Sequence, residues 1–300
     1  MPIKHRLLAL LVAVLWGVNF LAIHASLEHY PPFFLVALRW TLVAIPTLFF
    51  IPRPQVPVRY LVGYGLGFGL LQFLFLYWGM AEGMPPGLAS LVLQSSAPFT
   101  VILAVLFTGE RLGKTRIIGV ILAAVGLMVV GSQRAGVDEL WPFALVVLGG
   151  LGWALGNLAS RAAKPENPLH LALWMTVVPP IPMLLVAIKW EGLERIGQSL
   201  MTSLDAPWAV TGLLYTCVLG TVVGSGIWTW LLSRHPASAV APFSMMVPVF
   251  GLSAAALVLG ERINSIEFAG CVLVLIGVVV ASRMVSAGKP STVAAASTAA

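Results

Sequence analysis

Gly109-Glu110-Arg111-Leu112 returns as Gly260-Glu261-Arg262-Ile263, with Gly260 lying 151 positions after Gly109. The same offset carries Gly119 onto Gly270 and Gly126 onto Gly277. Upstream the offset becomes 150 and pairs Pro86 with Pro236, Ala89 with Ala239 and Pro98 with Pro248. Earlier still, Trp16-Gly17-Val18-Asn19 faces a looser counterpart, Trp153-Ala154-Leu155-Gly156-Asn157. A chain that repeats itself at a fixed offset reads as two copies of one structural unit. The copies are expected over residues 7–132 and 141–283.

What each copy is made of follows from composition. Of the 300 residues, 59% are hydrophobic and 9% charged, where a soluble domain carries roughly 25% charged residues. Most of the surface must therefore face lipid, and each crossing needs about 20 apolar residues. Ten apolar segments are expected, over 6–26, 32–51, 59–79, 87–108, 114–132, 141–161, 169–188, 208–231, 237–259 and 265–284. Turn chemistry separates them at Tyr30-Pro31-Pro32, Pro52-Arg53-Pro54, Met84-Pro85-Pro86, Lys164-Pro165 and His235-Pro236. The fold class expected is an all-α membrane protein of ten transmembrane helices. Five crossings per copy is an odd number, so the second copy enters from the opposite side. Inverted repeats of this kind underlie alternating-access transporters, whose substrate site lies near the midplane between the halves.

Charge sets the orientation. With the N-terminus inside, twelve of the 17 Lys and Arg residues fall on inner connections and four on outer ones, Arg39 lying within a span. That bias matches the positive-inside rule and places both termini in the cytoplasm. Residues 1–25 could pass for a signal peptide, but no small-x-small cleavage site follows and Trp16-Gly17-Val18-Asn19 interrupts the apolar run. The segment 189–207 carries Trp190, Leu193, Ile196, Leu200 and Leu204 at helical spacing, which predicts a short helix on the outer membrane surface. Residues 285–300 are rich in Ala, Ser and Thr and read as a disordered tail.

The same inventory excludes other classes. The net charge of +6 is explained by loop bias, and no basic run is long enough for a nucleic acid. Cys217 and Cys271 fall inside apolar segments and read as small core residues. No cofactor, metal or obligatory protein partner is expected; the partners are the bilayer and a small, amino-acid-like substrate. An enzyme is disfavoured, because Ser225 of Gly224-Ser225-Gly226 lies ten residues, or about 15 Å of helix, from His235.

The residues also carry a likeness. Leu15-Trp16-Gly17-Val18-Asn19-Phe20, Ala37-Leu38-Arg39-Trp40 and the two Gly-Glu-Arg helix ends resemble the EamA-type family of the drug/metabolite transporter superfamily. Within it the chain is most similar to bacterial cysteine and O-acetylserine exporters. That similarity rests on Arg53-Pro54-Gln55-Val56-Pro57, on Gly83-Met84-Pro85-Pro86-Gly87-Leu88 through Gln94, and on Val240-Ala241-Pro242-Phe243-Ser244. The resemblance implies export of amino acids and related metabolites across a bacterial inner membrane. His24 stands where relatives commonly carry Lys. A different cargo, such as a drug, a purine or a nucleotide sugar, is the alternative.

Several residues could carry transport. Pro98 and Pro248 should kink their helices and free the carbonyls of Gln94 and Ser244, a matched polar pair expected to face the substrate path. Asn19, Asn157 and Gln72 are mid-span amides, either pocket groups or interhelical glue. Trp16, Trp153 and Trp228 lie away from the interfaces where Trp collects, and could wall a pocket or fill the core. Tyr77 and Trp78 sit nearer the outer boundary and read as aromatic belt. Arg39 is the one charge inside a span; it could attract a carboxylate, snorkel outward or hold a structural bond. Glu110 with Arg111 and Glu261 with Arg262 are candidate gates on opposite faces, or charges that complement helix ends. Gly63, Gly65, Gly67, Gly69, Gly152, Gly156, Gly220 and Gly224 read as close-packing positions. No carboxylate lies at mid-membrane, since Glu82, Glu110 and Glu261 are at helix ends. That leaves facilitated efflux and coupling through a helix-end acid both open.

Overall fold

Apolar runs of this length can satisfy their own backbone groups in lipid only as helices, and helices are what form. The computed structural model describes residues 1–108, 113–133 and 137–282, with no strand among them. In chain order these are α1 (Ile3–Leu27), α2 (Pro32–Phe50), α3 (Val58–Ala81), α4 (Pro86–Phe107) and α5 (Lys114–Ser132). There follow α6 (Val137–Ala163), α7 (Pro168–Trp190), α8 (Leu193–Met201), α9 (Pro207–Arg234), α10 (Ala237–Ser244), α11 (Val247–Leu259) and α12 (Ser265–Ser282). Nine membrane-crossing lengths occur among the described residues; the ninth, Pro242–Leu259, runs through the α10–α11 junction, and α12 is apolar but shorter. Pro32, Pro86, Pro168 and Pro207 open their helices, where proline's fixed φ is already helical and its missing N–H would have no partner.

Several of these helices depart from α geometry. α3 is a π-helix over Gly65–Gln72 and α9 over Tyr215–Val223. α4 tightens to 3₁₀ at Leu93–Ser95, and α10 is separated from α11 by turn residues 245 and 246. Tyr215 follows Gly65 by 150 positions, and Met245 follows Ser95 by 150. These four therefore recur at the spacing of the sequence repeat, whereas a further 3₁₀ stretch in α7, Met175–Val177, has no counterpart in α2.

Glycine sets how closely the helices approach. A Cβ added at Gly126 of α5 would fall 2.6 Å from the Val274 nitrogen of α12, and Gly119 meets the backbone of Gly277 and Ala281. Low numbers on α5 face high numbers on α12, so the two helices run antiparallel. On α6, a Cβ at Gly152 would fall 2.7 Å from the Gln72 nitrogen and one at Gly156 2.6 Å from the Phe68 nitrogen. With little hydrophobic drive between helices in lipid, such backbone contact is what packs them.

At one end of the bundle, carboxylates cap foreign helices. Glu191, just past α7, accepts from the Phe33 and Phe34 amides at the start of α2, at 2.6 and 2.8 Å. Gly260 ends α11 in the left-handed region at φ 67°, which turns Glu261 toward α4. Its carboxylate accepts from the Gly87 and Leu88 amides at 2.9 and 3.2 Å. A Cβ at Gly87 would lie 2.8 Å from that carboxylate, so glycine is what admits it. Both acids fill donors that a helix start leaves open and meet the positive end of its dipole. The expected surface helix is α8, reached through a turn at Gly192 with φ 80°. It turns Ile196 and Ser199 inward and leaves Leu193, Leu200 and Met201 exposed.

Two outcomes follow. Gly126→Leu is expected to cost about 1–3 kcal/mol or more by overpacking, read as a lowered melting temperature of the purified chain. Gly226→Ala, where nothing lies within 4 Å of the added carbon, should leave it unchanged; equal shifts would sink the packing account. Burial holds the Glu191 carboxyl above its ordinary range, against the opposing pull of the Phe33 and Phe34 amides and Arg195. A carboxyl raised on folding adds stability below its unfolded value, about 4.3, and loses it as pH rises through the folded value. Melting temperature should therefore fall on raising pH through that window, and Glu191→Gln should flatten the fall.

Candidate functional site

The charge inside the bundle organises the site. Arg39 lies seven residues into α2, about 10 Å from its start at 1.5 Å per residue, and is 3% exposed. It does not snorkel. Its Nη1 donates to the Tyr77 hydroxyl of α3 at 2.9 Å, and its Nη2 to Thr221 Oγ1 of α9 at 3.0 Å. The guanidinium carbon sits 4.2 Å from the Phe73 ring centroid and 4.7 Å from that of Trp40. Trp40 is fixed in turn by its indole N–H, which donates to the Gly69 carbonyl at 2.8 Å. The Nε of Arg39 is buried without a hydrogen-bond partner.

The π segment of α9 explains the second contact. Thr221 donates its hydroxyl proton to the Thr216 carbonyl five residues earlier, at 2.8 Å, which leaves its lone pairs for Arg39. Cys217, one residue beyond Thr216, donates to the Arg39 carbonyl at 3.6 Å. Ring faces and two neutral hydroxyls therefore surround the cation. The site can accept an anion without first breaking a salt bridge.

Other expected site residues gather on the same stretch of α9. The Trp16 indole donates to the Gly220 carbonyl at 2.9 Å, and its ring lies 5.3 Å from that of Trp228. Asn19 is 9% exposed; a Cβ on Gly220 would meet its Oδ1 at 2.6 Å. That oxygen has no partner, and neither has Oε1 of the buried Gln72. Trp16, Asn19, Arg39 and Trp228 are thus brought together around Gly220 and Thr221.

The remaining expected residues lie elsewhere. Trp153 of α6 stands edge-on to Phe68 at 5.8 Å, and Asn157 donates to Thr100 Oγ1 of α4 at 3.2 Å. Gln94 is half-buried in the 3₁₀ turn of α4 and Ser244 half-buried at the end of α10; Pro98 and Pro248 are buried. Glu261 caps α4 as described, and Arg262 is exposed. Glu110 and Arg111 lie outside the described residues.

Sequence reasoning missed part of the site. Tyr77, expected in the aromatic belt, is 1% exposed and bonded to Arg39. Trp78 is half-buried, donates to Glu82 at 3.1 Å and packs on Phe33 and Trp141. Thr221, Phe73 and Trp40 carried no separate signal. A buried guanidinium without an acid nearby requires neutral acceptors, and mid-span hydroxyls were the place to look.

Known proteins match this chain over nearly its whole length. The EamA-like transporter family matches residues 4–132 and 140–283. The probable amino-acid metabolite efflux pump of Salmonella typhimurium strain LT2 is 40% identical over 280 residues, 91% of this chain and 93% of that one. Its namesake in Escherichia coli K12 is 39% identical with the same coverage. One solved crystal structure shares the fold with a TM-score of 0.60 at 17% identity, over 93% of this chain and 96% of the other.

Removing an Arg39 acceptor should expose how the cation is held. Thr221→Val and Tyr77→Phe are each expected to destabilise the purified chain by about 1–3 kcal/mol, the cost of stranding a buried donor. Unchanged melting temperatures in both would show that the guanidinium does not depend on these hydroxyls.

Proposed function

This chain belongs to the EamA-like transporter family, and we propose that it exports small amino-acid metabolites by alternating access, cysteine and O-acetylserine first among them. It is a multi-pass inner-membrane transporter and not an enzyme. The observation that carries the cargo reading is Arg39, a nearly fully buried cation whose bonded partners are neutral hydroxyls and whose Nε is unfilled. A carboxylate is the natural complement of a guanidinium, and a desolvated pair of this kind is strong. Organic-cation drugs would be repelled there, which disfavours the drug alternative. A purine offers no carboxylate to meet Arg39.

Alternating access draws support from the repeat and its consequences. The copies at 7–132 and 141–283, the antiparallel meeting of α5 with α12, and the helix irregularities at matching offsets all favour two inverted five-helix halves. On that reading both termini are cytoplasmic, and the Glu191 and Glu261 caps close the outer face. Gln94 and Ser244, beside the irregularities ahead of Pro98 and Pro248, are the proposed joints of the path. Glu261 with Arg262 then belong to outer closure, and Glu110 with Arg111 to its inner counterpart.

The test is efflux from cells preloaded with labelled cysteine, O-acetylserine, threonine or an aromatic amino acid, with and without the protein. Arg39→Gln should lower efflux roughly 10–150-fold, the equivalent of a lost charged hydrogen bond of about 1.5–3 kcal/mol, at unchanged membrane abundance. Gln94→Leu should lower it as well. Efflux indifferent to the protein, or an Arg39→Gln carrier running at the parent rate, would refute the proposal.

A further inference from the structure

We infer that the site also holds the α-ammonium of its cargo, on Asn19 Oδ1 and Gln72 Oε1, so that the carrier takes free zwitterions and rejects N-acylated amino acids. This rests on the reading of Arg39 as the carboxylate anchor. Buried polar atoms in native proteins almost always have partners, and each one left unmade costs about 1–3 kcal/mol. Among the described residues four such atoms sit on residues nine-tenths or more buried: Arg39 Nε at 3% exposure, Gln72 Oε1 at 4%, Asn19 Oδ1 at 9% and Ser95 Oγ at 1%, the last lying against Gly150 of α6. The first three offer one donor bearing positive charge and two neutral acceptors. That set matches a molecule presenting one anion and one strong cationic donor.

Contacts of adjoining residues link them. Asn19 Oδ1 lies against Gly220, and Arg39 Nη2 bonds the next residue, Thr221. Gln72 directly precedes Phe73, whose ring lies 4.2 Å from the guanidinium carbon. An α-amino acid carries its ammonium and carboxylate on a single carbon, so the groups that hold it must come from adjoining positions, as Gly220 with Thr221 and Gln72 with Phe73 provide. Interhelical glue would have left the amide oxygens bonded across helices; these two are not. Acylation removes the positive charge and two of the three protons from the nitrogen, leaving one neutral donor for two acceptors.

The experiment is counterflow of labelled cysteine in proteoliposomes holding the full chain, with unlabelled competitors. N-acetylcysteine should compete at least tenfold more weakly than cysteine, and cysteine methyl ester should be weakened similarly through loss of its carboxylate. Asn19→Leu and Gln72→Leu should weaken cysteine roughly tenfold yet leave N-acetylcysteine unchanged, so that the preference collapses. Asn19→Asp, which keeps the acceptor and adds charge, should retain the preference and guards against a variant that merely misfolds. N-acetylcysteine competing as well as cysteine, or the Leu variants weakening both in proportion, would overturn the inference while export stands. Absence of counterflow with every labelled amino acid would overturn the export reading, and this one with it.

Discussion

A guanidinium in the middle of a helical bundle in lipid has to be surrounded by groups that tolerate its charge, and much of this architecture does so for Arg39. Moving such a cation away from water is costly unless something replaces its hydration. Two ring faces, Phe73 and Trp40, supply the negative side of their quadrupoles. Two hydroxyls supply lone pairs. The Thr221 hydroxyl can do so because its own proton is committed to the Thr216 carbonyl within the π segment. Trp40 is held in place from the other π segment, through the Gly69 carbonyl. π turns widen the helix and loosen the usual ladder, and here both widened stretches serve one buried charge.

The helix-end acids tell a complementary story. Taken from sequence, Glu261 was a candidate gate or a charge paired near its own helix end. Its carboxylate spans from beyond α11 to the amides opening α4, and Glu191 does the same for α2. Each cap fills two open donors at once and meets a helix dipole of the right sign. The Gly-Glu pair therefore has a local logic. Glycine ends one helix with a left-handed turn, and that turn aims the acid at another.

The helical framework was legible in the sequence because it follows from rules that act along the chain. Apolar runs, proline starts and the offset of 150 or 151 depend on neighbours in sequence, and the helices begin at Pro32, Pro86, Pro168 and Pro207 accordingly. Arg39 stood out for the same reason, a charge where charges are rare. Its partners did not, because Tyr77 and Thr221 are separated from it by 38 and 182 positions and nothing local distinguishes them. Depth along the helix alone put Tyr77 in the aromatic belt; only the direction of its side chain shows that it faces inward. The π segments were illegible too, since glycine-rich α3 and threonine-containing α9 share no composition that marks the widened turn.

The Arg39–Thr221 bond is where these threads meet. Arg39 and Tyr77 lie within 7–132, whereas Thr221 lies within 141–283, so on the two-copy reading the cation is bonded to both units at once. Any rotation of one unit against the other must change its distance to Thr221 while the Tyr77 contact travels with α2 and α3. A hydroxyl lost in that movement leaves a second stranded donor beside the unfilled Nε, and a bound carboxylate, with two oxygens, can serve both. A carrier whose empty cation needs the second unit, and whose loaded cation does not, would move more easily with cargo than without. That is the property an exporter needs to avoid cycling empty, and it requires no carboxylate of the protein's own at mid-membrane.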